Sequence, residues 1–143
     1  MAFLRSSQQR FRSATCSWAF PSFSSFQLYV SQFAVDEASA GEAAAAERRV
    51  AALRDLTLLD LTSDATLLAG ELVRRGGLPA KAKIDALHIA MASVHGMDYL
   101  VSWNCTHIAN ATMRGRIEGI CRGAGFEPPV ICTPIELVKE QAP

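Results

Sequence analysis

The sequence predicts an α/β protein with one hydrophobic core and a mostly parallel β-sheet that carries helices on its faces. Three observations support this prediction. The chain of 143 residues has the length of one ordinary domain, and half of its residues are hydrophobic while a fifth are charged. Short apolar runs also alternate along the chain with helix-forming segments. Strands separated by helices usually pair in parallel, because each helix returns the chain to the same end of the sheet.

The first half of this pattern contains two strands and three helices. We predict them, in chain order, at residues 27–30 (strand), 31–39 (helix), 43–56 (helix), 57–61 (strand) and 65–75 (helix). The second helix is rich in Ala, Leu, Arg and Glu, which are strong helix formers. Thr62, Ser63 and Asp64 offer N-cap side chains for the third helix, and Gly76 with Gly77 ends it.

The second half alternates in the same way. We predict a helix at 83–95, a strand at 98–103, a helix at 111–122, a strand at 128–133 and a terminal helix from Pro134. Gly96 follows the first of these helices at the position where glycine commonly ends a helix. Pro134 suits the first turn of a helix, where its missing N–H is not needed. The sequence contains no internal repeat and no low-complexity linker.

The N-terminal segment differs in composition from the rest. Residues 1–35 contain no Asp or Glu, while they carry Arg5, Arg10 and Arg12 and many Ser and Phe residues. Such a composition formally fits an organellar transit peptide, a flexible leader or a segment foreign to the ancestral domain. We favour the last interpretation. Residues 1–26 are therefore expected to form an atypical leader that is disordered or non-native, and residues 27–143 to form the domain.

The net charge and the cysteine content exclude few classes of function, but the cysteine content favours a reducing environment. The formal net charge is zero, so it does not indicate a type of binding partner. It also does not exclude a nucleic-acid enzyme with a locally basic surface. The four cysteines form no CxxC pair, and zinc ligands beyond Cys105 and His107 are scarce. No secretory signal peptide is visible. These features predict a cytoplasmic protein with no membrane association.

Three polar residues together indicate a candidate functional site. Asp85 lies at the start of an apolar helix, Asn104 directly follows a predicted strand, and Glu37 lies on a short helix after another strand. Each has an ordinary explanation by itself, as a charge at a helix dipole, a turn residue or a solvated surface acid. In parallel sheets, however, functional groups gather at the carboxyl ends of the strands. Converging carboxylate and amide oxygens are what Mg²⁺ requires.

A resemblance to a known family rests on three stretches of the sequence. "DALHIAMASVHGMDYLVSWNCTHIAN", preceded by "LYVSQFAVDEAS" and followed by "PPVICTPIELV", resembles the PIN-domain family and in particular its VapC-like toxin branch. The resemblance covers about residues 27–138. It implies a three-layer α/β/α sandwich and an Mg²⁺- or Mn²⁺-dependent ribonuclease. It also implies an antitoxin-like protein partner and a homodimer.

The resemblance implies roles for particular residues, and this sequence departs from the family pattern at one point. Glu37 and Asp85 match the family's acidic positions, and Asn104 matches a later position where many members have Asp; all three are the expected metal-binding and catalytic residues. His107 is expected to contact the substrate or support a ligand. The family's first strand and its terminal Asp have no match, since the first acidic residue is Asp36. We therefore expect a chain that begins late, or has an altered leader, relative to a complete PIN domain.

Two functions therefore remain open at the level of the sequence. The first is a metal-dependent endoribonuclease that acts as the toxin of a toxin-antitoxin pair. The second is a truncated, catalytically impaired PIN-like protein that binds an antitoxin or RNA. A nucleotide-binding module is disfavoured because GxGxxG and GxxxxGK[ST] are absent. A Ser or Cys hydrolase is disfavoured because GxSxG is absent and Cys105 with His107 lacks a recognisable third member.

Overall fold

A computed structural model describes residues 1–6, 26–104 and 106–139 of the chain. Its strands are β1 (Ala2–Ser6), β2 (Phe26–Ser31), β3 (Thr57–Leu59), β4 (Tyr99–Val101) and β5 (Val130–Cys132). Its helices are α1 (Gln32–Ser39), α2 (Ala43–Leu53), α3 (Ser63–Arg74), α4 (Lys83–Val94), α5 (Ala111–Gly123) and α6 (Pro134–Lys139), and a 3-10 turn at Ala80–Ala82 precedes α4.

The described strands form one mixed, mostly parallel sheet. Their order across the sheet is β3-β2-β1-β4-β5. β2 pairs in parallel with β3, and β4 pairs in parallel with β5, whereas β1 is antiparallel to both of its neighbours. Four of the five strands therefore run in one direction. The predicted α/β class with a mostly parallel sheet is confirmed, although the strands are mostly shorter than the apolar runs that predicted them.

The central strand comes from the segment that we expected to lie outside the domain. Ala2–Ser6 pairs with β2 on one side and β4 on the other, so the central position is filled by a strand of reversed direction. This differs from the expectation of a leader over residues 1–26. The strand was missed because it spans only 5 residues, of which Phe3 and Leu4 alone are buried, so it shows no alternation of apolar and polar residues. Residues 7–25 lie outside the described part of the chain.

Helices pack on both faces of the sheet, and adjacent strand residues face opposite cores. Phe3 belongs to one core and Leu4 to the other, as do Leu100 and Val101. The larger core contains side chains from α3, α4 and α5, including Leu68, Leu72, Ile89, Met91, Ile117 and Ile120. The smaller core is built from Leu4, Val101, Cys132 and Leu137 of α6. This arrangement is compatible with a three-layer sandwich.

The helix ends follow the local chemistry of the sequence. The Thr62 side chain accepts a hydrogen bond from the backbone N–H of Ala65 at 3.1 Å, which confirms the predicted cap of α3. Gly76 and Gly96 adopt positive φ angles of 72° and 62° just after α3 and α4. In the part of the chain described here, no helix has the length and hydropathy needed to cross a bilayer.

Candidate functional site

Three structural elements bring the predicted site residues to one edge of the sheet. β2 and β4 are both antiparallel to β1, so their carboxyl ends lie at the same edge. Glu37 is on α1, which directly follows β2, and Asn104 lies in the loop that follows β4. Asp85 is in the first turn of α4. We call this end of the sheet the carboxyl edge, which is the usual place for ligands in α/β proteins.

Asp85 is held by two side chains from the loop after β4. Its Oδ1 accepts a hydrogen bond from Asn104 Nδ2 at 3.0 Å, and its Oδ2 lies 2.9 Å from His107 Nδ1. Because a carboxylate only accepts hydrogen bonds, the Nδ1 of His107 carries the hydrogen of this contact. The Asp85 side chain is only 14% exposed. The loop thus fixes the orientation of this carboxylate at the mouth of the site.

Asn104 organises the loop as well as Asp85. Its Oδ1 accepts hydrogen bonds from the backbone N–H groups of Thr106 and His107, both at 3.2 Å. It is therefore the amide nitrogen, and not the oxygen, that faces Asp85. An oxygen contact from Asn104 to a cation beside Asp85 requires the amide to turn and give up both backbone contacts. The role of Asn104 as a metal ligand stays a prediction.

Glu37 faces the buried imidazole of His88. The His88 side chain is fully buried, and its Nε2 lies 3.5 Å from Glu37 Oε1, whereas the Glu37 side chain is 51% exposed. The contact lacks hydrogen-bond geometry, so Nε2 has no hydrogen-bond partner within the described residues. On the other side of the ring, Nδ1 lies 3.4 Å from the hydroxyl of Ser31. His88 thus connects the end of β2 with the exposed carboxylate of Glu37.

Burial dominates the electrostatics of His88. Desolvation lowers the pKa of His88 below its usual value, and the positive charge of the chain's amino group acts in the same direction. The carboxylates of Glu37 and Asp85 both raise the pKa, but they do not overcome burial. His88 is therefore held as a neutral imidazole. Glu37 Oε1 lies 3.5 Å from His88 Nε2, and Asp85 precedes His88 by three residues on the same face of α4, so Glu37 and Asp85 lie on the same side of the molecule.

Two carboxylates, Glu37 and Asp85, are the candidate metal ligands at the carboxyl edge. Mg²⁺ commonly binds through one or two carboxylates and keeps several waters, so these two residues are of the type that would hold it. Over residues 1–6, 26–104 and 106–139, no three His, Cys, Asp or Glu side chains form a group that could hold a metal ion. β1 presents its amino end at this edge and carries no acidic residue. The chain thus offers two carboxylates where the family resemblance implies more.

No role for His88 was predicted from the sequence, and His107 was expected only to contact the substrate or support a ligand. A signal was present for His88, because residues three apart on a helix share a face and His88 follows Asp85 by three positions. Cys105, considered above with His107, lies outside the described residues. Cys132 is buried. Cys121 is a buried free thiol, and burial raises its pKa. Raised pKa and burial make Cys121 a poor nucleophile.

Comparison of this chain with known protein families, curated proteins and solved structures gave no match. The resemblance to PIN domains therefore rests on the sequence motifs quoted above. The fold class and the arrangement of side chains at the carboxyl edge stand independently of that resemblance.

Proposed function

We propose that this chain is an endoribonuclease of the PIN type that hydrolyses RNA phosphodiester bonds, and that it is the toxin of a toxin-antitoxin pair in the cytoplasm. The observation that carries the nuclease proposal is the approach of two carboxylates to His88 at the carboxyl edge: Glu37 Oε1 lies 3.5 Å from its Nε2, and Asp85 precedes it by one turn of α4. These carboxylates come from helices that are far apart in sequence. The toxin assignment, with its antitoxin-like partner and homodimer, rests on the quoted motifs alone.

Glu37 and Asp85 are the residues that would hold Mg²⁺ or Mn²⁺ in this proposal. When bound, the cation supplies positive charge against the scissile phosphate and favours an attacking hydroxide. The chain contributes orientation. Asn104 and His107 hold both oxygens of Asp85, and these contacts keep the carboxylate at the edge of the sheet. Glu37 is half exposed, so its oxygens are accessible to a hydrated cation.

A second candidate function is favoured by the direction of β1. Because β1 runs against its neighbours and carries no acidic residue, it adds no carboxylate to the site. A cation held by fewer charges binds more weakly. In this alternative the protein binds RNA or an antitoxin-like partner without cleaving RNA at a useful rate.

The first experiment compares two substitutions of exposed glutamates. Glu37→Gln removes a proposed metal ligand, whereas Glu47→Gln changes an exposed residue on α2 and serves as the matched control. We expect the unaltered chain to cleave single-stranded RNA in Mg²⁺ or Mn²⁺ and to lose this activity in EDTA. Glu37→Gln should lower the rate at least about tenfold, because loss of a charged ligand weakens stabilisation of the transition state.

The outcomes separate the two candidates. Equal cleavage by the Glu37→Gln and Glu47→Gln proteins would contradict the proposed metal site. Absence of cleavage by the unaltered chain, together with retained RNA binding, would favour the binding function. Cleavage that persists in EDTA would contradict a divalent-cation mechanism altogether.

A further inference from the structure

Trp103 directly precedes Asn104 in the chain and is largely exposed. The residue has 65% of its surface accessible, although its neighbours Ser102 and Asn104 are buried and half-buried. Asn104 is the residue whose amide contacts Asp85 at 3.0 Å. Consecutive Cα atoms are about 3.8 Å apart. The indole of Trp103 is therefore attached to the chain one residue away from Asn104, which orients the carboxylate of Asp85.

The backbone on both sides of Trp103 is held by hydrogen bonds. The Ser102 N–H donates to the carbonyl of Cys132 at 3.0 Å, and the Ser102 hydroxyl accepts from the Asn104 N–H at 2.9 Å. The carbonyl of Asn104 accepts from the N–H of Ala109 at 2.8 Å. These contacts restrict the backbone at the end of β4. A ligand that stacks on the indole thus pays little backbone ordering entropy.

The charge of the site determines which contact can hold RNA here. Glu37 and Asp85 are both carboxylates at this edge, and before a cation binds they repel a phosphate backbone. The formal net charge of the whole chain is zero, so long-range attraction to RNA is also weak. An uncharged contact can hold a nucleotide despite this repulsion. Stacking of a base on an aromatic ring is such a contact.

We propose that Trp103 stacks on an unpaired base next to the scissile phosphate of the RNA. This inference rests on the proposed function, and it adds the residue that positions the nucleotide. Bases in a duplex are already stacked, so the contact favours single-stranded RNA, loops and bulges. The residues that follow Trp103, namely Asn104, Thr106 and His107, are polar. They suit a nucleotide better than the apolar centre of a protein interface.

The test measures binding of a fluorescein-labelled oligoadenylate by fluorescence anisotropy in EDTA, where metal-dependent cleavage is absent. Trp103→Ala should weaken binding about 5-fold to 100-fold, and Trp103→Phe should retain most of it, because phenylalanine keeps an aromatic face. Leu67→Ala is the matched control, since Leu67 is an equally exposed apolar residue, at 69%, but lies on α3. A duplex of the same length should bind more weakly than the single strand.

Equal affinity of the Trp103→Ala and Leu67→Ala proteins would overturn the inference. So would failure of the unaltered chain to bind the oligoadenylate. If Trp103→Ala instead changes only the oligomeric state in light scattering, the indole is a protein contact and the inference is also overturned.

A parallel cleavage assay in Mg²⁺ distinguishes failure of the inference from failure of the proposed function. Cleavage that is unaffected by Trp103→Ala would leave the nuclease intact and remove the stacking role. Binding that depends on Trp103 in a chain without any cleavage would support the stacking role and remove the nuclease.

Discussion

Two aspartates, Asp98 and Asp85, lie at opposite edges of the sheet, and their carboxylates are held in different ways. Asp98 precedes β4, at the amino edge of the sheet, and its Oδ2 accepts a hydrogen bond from the backbone N–H of Ser6 at 2.6 Å. Its own N–H donates to the carbonyl of Leu4 at 2.9 Å, and its carbonyl accepts from Val130 N–H at 2.8 Å. Asp85 lies at the carboxyl edge and is held by the side chains of Asn104 and His107.

This difference separates a structural carboxylate from one that is available for chemistry. The contacts of Asp98 join the backbones of β1, β4 and β5, and these backbones cannot move without opening the sheet. Side-chain donors such as those around Asp85 can rotate away while the fold stays intact. A ligand can therefore compete for Asp85 at much lower cost than for Asp98. The contrast predicts that substitutions at the two edges affect different properties.

The largest expected effect comes from removing each aspartate charge in turn. Asp85→Asn should lower Mg²⁺-dependent RNA cleavage at least about 100-fold, because the proposed metal ligand is lost. Asp98→Asn should leave cleavage within about threefold and lower the free energy of unfolding by about 1 kcal/mol, because the contact with the Ser6 N–H is weakened. Cleavage assays and urea unfolding at neutral pH measure the two properties.

Circular dichroism of both proteins controls for loss of the fold. If Asp98→Asn reduced cleavage as much as Asp85→Asn did, the functional contrast between the two edges would be lost. Unchanged cleavage after Asp85→Asn would remove Asp85 from the proposed site.

An intermediate effect is expected when the carboxyl edge is made more acidic. Asn104→Asp places a second carboxylate where an amide now contacts Asp85 at 3.0 Å. Without metal, repulsion between the carboxylates should lower the free energy of unfolding by about 1 to 3 kcal/mol and raise the pKa of one of them. With Mg²⁺ the same pair should bind the cation about tenfold more tightly. Thermal unfolding at several Mg²⁺ concentrations measures both effects.

Asn110→Asp is the matched control for this substitution. Asn110 caps α5 by accepting from the Thr112 N–H at 3.0 Å, and aspartate serves equally well as an N-cap. Its stability should therefore show no new dependence on Mg²⁺. A similar Mg²⁺ response in both proteins would indicate general charge screening and not a site at the carboxyl edge.

The smallest effect is a pH dependence of stability that originates at His88. Burial lowers the pKa of His88 in the folded chain, whereas an unfolded histidine titrates near pH 6.5. As the pH falls below about 6.5, the unfolded chain takes up a proton that the folded chain does not, so stability decreases. The carboxylates of Glu37 and Asp85 and the chain's amino group modulate this loss without reversing it.

His88→Gln should flatten this dependence between about pH 7.5 and pH 5.5 in urea unfolding. His95→Gln is the comparison, because His95 lies at the other end of α4, where its Nε2 contacts the backbone carbonyl of Asp60 at 2.8 Å. The assignment to His88 would be wrong if both substitutions flattened the slope equally.

Much of the fold was predictable because local signals and tertiary structure agree. Thr62 caps α3, and Gly96 follows α4, as their residue types indicate. Central strand β1 was not predictable, since five residues with Phe3 and Leu4 facing opposite cores give no alternating pattern. Its position depends on pairing with strands that are distant in sequence. Such pairing cannot be predicted from a short segment of the sequence.

For the candidate site, the sequence alone determined which residues could bind a cation and that parallel strands would bring them towards one edge. Only the tertiary structure decided how they meet. It turned the amide nitrogen of Asn104 towards Asp85, buried His88 against Glu37, and placed the amino end of β1 where the resemblance implied an aspartate. The physical reason is that hydrogen-bond direction, desolvation and strand direction arise from contacts between distant segments, and no single segment encodes them.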